Sequence, residues 1–501
     1  MTTKTATIAV PDSLSQTAHD FIARQRGALI DGVIVEGDGP EFTTIDPSTG
    51  TPIATLRESD AQVVDQAVQG AERAFREEWS TMLPARRERL LHRLANLIEE
   101  HAHELAEYDA LEGGKPISYV EAVDLPLAVE QFRYYAGWPT KITGAVVPVS
   151  TPNAHVYTQK VPVGVVAAIT PWNFPFCQAA IKLAPALAAG NTVVLKPSEL
   201  TVFSSLRLAE LALEAGLPAG TVNVVVGTGA VTGDALTRHP GVRKITFTGS
   251  DRTGRILGAL AGERLIDASL ELGGKNPHVI FADADVEKAA AYAATTAFFY
   301  SGQVCFSGSR ILVERSAMDR VVETLRTHAQ GLTLGHGLHT ETTMGPLSSA
   351  QHLEKVEGFI REAQEGSSTV AFGGHRSESA GTGYFLEPTA LISPTDDESV
   401  VRSEIFGPVV VVQPFDTFEE AVDRANDTRF GLTAGVWTKD AARAHRFAQS
   451  ISAGTVWVNT YADYNAAAPF GGMKDSGNGR DCGPEGLEKY LDTRTIWMSI
   501  E

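Results

Sequence analysis

The chain has 501 residues, 43% hydrophobic and 21% charged, which suits two or three soluble globular domains and excludes a disordered or fibrous chain. With 61 acidic against 42 basic residues the formal charge is −19, which argues against nucleic acid or an acidic membrane as partner. Three cysteines supply neither a disulfide framework nor a Cys/His metal cluster, so no metal and a reducing, cytoplasmic setting are expected.

In chain order, residues 1–16 lack the basic and apolar segments of a leader peptide. Apolar runs such as 161–170 are far short of the roughly 20 residues a membrane span needs. Short strand-like runs between Gly, Pro and Asp turns fill the chain to about residue 60. Two or three helices are expected over 60–112, with Leu90, Leu91, Leu94, Leu97 and Ile98 on one helical face. Another helix is expected over 122–137. Residues 143–157 alternate between prolines and are expected to pair with the extended tail 491–500, outside the main sheets.

From residue 161 strands and helices alternate. Strands are expected at 165–170, 192–195, 222–226 and 244–247, with helices at 177–189, 204–215, 231–238 and 252–261. This is the pattern of a Rossmann-like parallel sheet with helices on both faces, which binds ligands at the carboxyl ends of its strands. A second α/β unit begins after Gly273, with strands at 278–281, 310–313, 409–412 and 455–459 and helices between them.

Several stretches carry chemistry. Cys305 follows an Ala- and aromatic-rich helical pattern and sits among small residues; it is either a core cysteine or a presented nucleophile. In Pro171-Trp172-Asn173-Phe174-Pro175 two prolines stiffen a loop after a strand, so Asn173 either caps the next helix or donates to an oxyanion. Lys196-Pro197-Ser198-Glu199 ends the next strand, in reach of ribose hydroxyls or phosphates. Phe247-Thr248-Gly249-Ser250 leads from a strand into a helix, where Ser250 caps the helix, meets a phosphate, or both. Glu271-Leu272-Gly273-Gly274 sets a carboxylate beside two glycines, a turn or a general base. Glu404-Ile405-Phe406-Gly407-Pro408 and Pro469-Phe470-Gly471-Gly472 complete the set.

Together, and in this order, these stretches resemble the NAD(P)-dependent aldehyde dehydrogenase superfamily, from about residue 40 to the end. The resemblance implies that family's fold: a cofactor domain (1–142 and 162–272), a catalytic α/β domain (273–470), and a small β oligomerisation element (143–161 and 484–501). It implies Cys305 as nucleophile, Glu271 as general base, Asn173 with the Cys305 main-chain N–H as oxyanion donors, and Lys182 as a lysine of proton relay. The cofactor-binding residues it implies are Ile169, Thr170, Pro171, Trp172, Lys196, Ser198, Glu199, Gly229, Gly233, Phe247, Thr248, Gly249, Ser250, Leu272, Gly273, Glu404 and Phe406. The aldehyde tunnel is expected to be lined by Phe174, Gln178, Ile181, Phe299, Val304, Phe306, Asp463, Tyr464 and Phe470.

The chemistry agrees with those roles. A thiolate adds to an aldehyde to give a thiohemiacetal whose oxyanion needs fixed donors, and the later thioester is cleaved by a water that Glu271 deprotonates. The expected lining contains no Arg or Lys, which disfavours carboxylated semialdehydes. An aromatic or medium-chain aliphatic aldehyde fits best. A cationic amino-aldehyde, drawn by aromatics and Asp463, is the alternative, and transfer to coenzyme A ranks lower because that reaction needs no Glu271. Glu199 favours NAD over NADP, since a carboxylate repels a 2′-phosphate. A homodimer or homotetramer is expected. Val304 and Phe306 stand where many members carry further cysteines, and Asp481 where some carry Glu. Cys177 and Cys482 are taken as packing residues.

Overall fold

The computed structural model describes residues 13–378 and 380–501, so the leader-peptide expectation falls largely outside the described residues. Two large sheets organise the chain. The first runs, edge to edge, Val33–Val35, Ala28–Ile30, Val222–Val224, Thr192–Lys196, Val165–Ile169, Val242–Thr248, Asp267–Glu271 and Gly477–Asn478. Its five central strands are parallel, and antiparallel strands cover both sides. The central strands read as nearly continuous apolar runs because helices bury both faces. Strand order reverses between Val165–Ile169 and Val242–Thr248, which opens a crevice at their carboxyl ends.

The second sheet runs Thr369–Phe372, Thr389–Ile392, Val409–Phe415, Arg310–Glu314, Pro277–Ile280, Thr433–Trp437 and Thr455–Val458, parallel except at its first pair. The two sheets present opposite ends to the site. Thr170–Asn173, Thr248–Ser250 and Glu271–Gly273 follow strands of the first sheet, whereas Asn276, Glu404–Gly407 and Leu432 precede strands of the second.

The helices follow the sequence pattern. Pro84–Glu100 buries Leu91, Leu94 and Ile98, while Leu90 and Leu97 are half-buried on its flank. The helix ends at His101, and Ala102–Gly113 begins directly after it. Pro175–Ala189 is buried along nearly its whole length and ends at Gly190 in the left-handed conformation.

The tail pairs outside both sheets with a strand that overlaps the expected partner only at 154–157 and continues beyond it to Pro162. Leu491–Ser499 runs antiparallel to Ala154–Pro162, from Leu491 opposite Pro162 to Ser499 opposite Ala154. Residues 143–153 contribute a bridge between Val146 and Tyr157 instead of a strand. Pro148 and Pro152 lack the N–H groups a ladder requires, so regular pairing starts only after them.

Candidate active site

The nucleophile loop is held in an unusual backbone path. The helix Val286–Phe298 stops, and Tyr300 and Ser301 both adopt the left-handed conformation at φ 47° and 54°. Such geometry is costly for side-chain-bearing residues and persists only where neighbours enforce it. Here Tyr300 Oη donates to the Gly113 carbonyl at 2.9 Å and Ser301 Oγ to the Gly345 carbonyl at 2.6 Å. Gly302, at φ 69°, lies against the Gly407 carbonyl, where a Cβ would collide. Beyond it, Asn276 Nδ2 donates to the carbonyls of Cys305 (2.8 Å) and Ser307 (2.9 Å), and Tyr461 Oη to that of Phe306 (3.0 Å). Cys305 is thereby fixed from both sides and left half-buried.

Asn173 is buried and does not cap the helix that follows. Its Nδ2 donates to the Gln303 carbonyl at 2.9 Å, two residues from Cys305. An amide has two N–H donors, so one anchors the loop and the other is available for an oxygen at Cys305. Burial pushes the Cys305 thiol up to about 12, and the Glu404 and Glu271 carboxylates add to that shift. The main-chain N–H groups of Phe306 and Cys305 act in the opposite direction.

Glu271 is buried, and neither of its oxygens has a hydrogen-bond partner among the described residues. Burial, reinforced by Asp481, pushes its carboxyl well above the usual range, against the pull of Lys489, Lys182 and Arg480. Burial of this kind makes the carboxylate a stronger base once its proton is gone, so Glu271 must ionise before it can act as a general base. Lys182 is fully buried, and its Nζ donates to Asp481 Oδ2 at 3.4 Å.

Two cavities meet at Cys305. One is lined by Pro171, Trp172, Asn173, Thr248, Gly249, Ser250, Glu271, Leu272, Gly273, Glu404 and Phe406, with His352 and Lys355. Its fittings suit a dinucleotide. Ser250 caps Asp251–Arg264, its Oγ accepting from the Thr253 N–H, so the helix N-terminus faces the cleft. Glu404 Oε1 accepts from the Gly274 N–H at 3.1 Å, and burial lifts this carboxyl to about 7. Phe406, at φ 61°, is pinned by His352, whose Nε2 bonds its carbonyl at 2.6 Å, and by Trp172 edge-on at 5.4 Å.

The other expected cofactor residues do not line this cavity and sit at or beyond the ends of neighbouring strands of the first sheet. Ile169 is in register with Lys196 and Phe247, and the Thr170 N–H donates to the Lys196 carbonyl at 3.1 Å. Lys196 Nζ lies 3.8 Å from Glu199 Oε2, and Ser198 Oγ accepts from the Leu200 N–H within the same turn. Gly233 borders the Lys196 side chain, and Gly229 opens onto free space.

The second cavity, about 260 Å³, is apolar and aromatic. Phe174, Gln178, Ile181, Phe299, Phe306, Tyr464 and Phe470 line it as expected, together with Cys305 and Glu271. Two expected residues do not. Val304 is buried behind the wall, among Phe174, Cys177 and Tyr300. Asp463 is exposed, its carboxylate accepting from Thr460 Oγ1 at 2.5 Å, and Ala462 lines the cavity instead. The sequence reading missed Val123, Leu127, Tyr292, Thr295, Thr296 and Tyr461. Cys177, taken as a packing residue, also reaches the cavity.

The chain that carries this half-buried thiol, cleft and apolar pocket is similar over nearly its whole length to known proteins. The model of the aldehyde dehydrogenase family matches residues 34–496. The chain belongs to the aldehyde dehydrogenase family. It is an oxidoreductase acting on aldehydes with a nicotinamide cofactor. It is 44% identical to a phenylacetaldehyde dehydrogenase of Pseudomonas fluorescens, over 96% of this chain and 97% of that protein. The NAD+ complex of an aldehyde dehydrogenase from Bacillus cereus has a TM-score of 0.95 and 42% identity, covering 97% of this chain and 99% of that one. A betaine aldehyde dehydrogenase from Staphylococcus aureus in complex with NAD+ has a TM-score of 0.93 and 38% identity, covering 97% of each chain.

Proposed function

We propose that this aldehyde dehydrogenase oxidises aromatic or medium-chain apolar aldehydes to their carboxylic acids, with NAD preferred over NADP. The observation that carries the reading is the position of Cys305, which lines both the apolar cavity and the cofactor cleft. The Cys305 thiol gives up its proton to solvent, and its sulfur adds to the aldehyde carbon as the carbonyl π bond breaks onto oxygen. The second Asn173 N–H and the Cys305 main-chain N–H hold the resulting oxyanion. A nicotinamide bound in the cleft supplies the hydride acceptor that turns this adduct into a thioester. Glu271 takes a proton from water, the hydroxide displaces the Cys305 sulfur, and the acid leaves.

The lining supports the substrate class. Phe174, Phe299, Phe306 and Phe470 offer aromatic faces and edges. Thr295 and Thr296 donate their hydroxyls to main-chain carbonyls of their own helix, so neither has a proton left to donate to a polar substrate group. The Pseudomonas fluorescens relative is named for phenylacetaldehyde, an arylalkyl aldehyde of this kind. The cationic amino-aldehyde loses support, because Asp463 points away from the cavity, Asp481 is paired with two lysines, and burial favours the neutral form of Glu271. Glu199, beside Lys196 at the ribose end, supports the preference for NAD.

Assembly through the Ala154–Pro162 and Leu491–Ser499 ribbon is part of the same proposal, supported by its exposed Trp497 and Met498 and by Ile500 just beyond. NADH formation across a panel of aromatic, aliphatic and quaternary-ammonium aldehydes, with and without coenzyme A, tests the reading. The highest kcat/KM is expected with arylalkyl aldehydes, with no dependence on coenzyme A. A preference for the cationic aldehydes, or turnover only with coenzyme A, would refute it.

A further inference from the structure

The strand Asp267–Glu271 sends Ser269 and Glu271 to one face, because alternate residues of a strand point the same way. Lys489 reaches that face from the C-terminal segment. Its Nζ donates to Ser269 Oγ at 3.3 Å and pairs with Asp481 Oδ1, while Lys182 holds the other oxygen, Oδ2, at 3.4 Å. Lys182, Asp481 and Lys489 have side chains 0%, 4% and 9% exposed, so the three charges interact with little screening. Asp481 lines the substrate cavity together with Glu271 and Cys305. Arg480 approaches Glu271 across Gly471, with its guanidinium turned to the Gly472 and Gly479 carbonyls.

We infer that Lys489 is a positioning residue for thioester hydrolysis: with Lys182 it clamps Asp481 as a carboxylate and leaves the surroundings of Glu271 net positive, so that this buried carboxyl can ionise and accept the proton of water. The inference rests on the proposed role of Glu271 as base. The charged and titratable groups facing Glu271 are Lys182 from Pro175–Ala189, Asp481, Lys489 and Arg480 from the C-terminal segment, and the Cys305 thiol. Three are cationic and one anionic. Asp481 is unsuited to carry the proton itself. Burial works against its charge, but the two ammonium groups outweigh burial and hold it ionised.

The test is the pH dependence of acyl-enzyme decay, followed by stopped flow after a single acylating turnover and checked by intact mass. Removing the cation in K489M is expected to move the midpoint of the decay profile to higher pH by about one unit, so that decay slows about tenfold below the midpoint. The NADH burst, which precedes hydrolysis, should keep its amplitude and rate and so report folded, competent sites. K489R should restore the midpoint. D481N removes the anion and should move the midpoint to lower pH. An unmoved midpoint in K489M, or an equal slowing of burst and decay, would overturn the inference. So would a D481N variant slowed at every pH, which would make Asp481 a proton carrier. E271Q separates the two layers. If E271Q decays at the native rate, the base assignment and the inference fall together; if E271Q stalls as the acyl-enzyme while K489M keeps its midpoint, only the inference falls.

Discussion

The Asn173 side-chain amide donates to the main-chain carbonyl of Gln303 at 2.9 Å, joining the loop after one sheet to the loop that precedes a strand of the other. One N–H of the amide is structural, and the second is the proposed donor to the oxyanion. Asn173→Ala should therefore lower kcat by about 10²–10³, the usual loss for one oxyanion donor. Stopped-flow kinetics check it: the NADH burst and the decay of the acyl-enzyme should both slow, because each step passes through an oxyanion on the carbon bonded to Cys305.

The electrostatics of the thiol give a second expectation. The Cys305 thiol is held up to about 12 by burial and then by Glu404 and Glu271. The thiolate fraction thus rises throughout the range from pH 7 to 10, and alkylation by iodoacetamide in the absence of cofactor should climb across that range without a plateau. Glutamate 404, itself lifted to about 7, is ionised above that pH and opposes the thiolate. Glu404→Gln should accelerate alkylation at pH 8 by several-fold, and equal rates in the two proteins would contradict this electrostatic account.

Much of the site was legible from residues alone, and the exceptions have physical causes. Cys305, Glu271 and Asn173 converge as expected, because each lies in a loop at a strand or helix end, and such loops carry strong local patterns. Asp463 was misplaced by one residue. The alternation of Thr455–Val458 does not continue past it, since Asn459 and Ala462 both adopt positive φ, at 54° and 67°, and reset which side chain faces inward. His352 and Lys355 were missed because they belong to the amphipathic helix Ala350–Glu365, whose pattern reports its core face and not its outlook on the cleft. The strands Thr369–Phe372 and Thr389–Ile392 are short and flank a glycine- and serine-rich stretch, which concealed one edge of the second sheet.

The scaffold under the cavity holds a buried ion pair. Lys115 and Asp124 are 1% and 0% exposed and bonded to each other, and the Lys115 ammonium sits 3.4 Å from the ring centroid of Phe174. Asp124→Ala leaves that cation unpaired and should cost about 3–5 kcal/mol of stability. The double variant with Lys115→Met should cost less than the two single changes summed, as measured by urea unfolding.

The cavity walls make substrate size testable. Leu127 and Thr295 line the cavity together with the aromatic side chains. Thr295→Phe should lower kcat/KM for a long-chain aldehyde by about tenfold or more, in line with the 1–3 kcal/mol that a methylene-scale mismatch costs. Acetaldehyde should be nearly unaffected. A uniform loss for all chain lengths would place Thr295 away from the substrate path.

The central claim is that Cys305 carries the acyl group and Glu271 releases it. Intact-mass spectrometry of Glu271→Gln, quenched after mixing with phenylacetaldehyde and NAD, tests this most directly. The account predicts a burst of one NADH per subunit and a stable acyl adduct that peptide mapping places on Cys305. An unmodified protein that turns over at the native rate, or an adduct on Cys177 or Cys482, would contradict it.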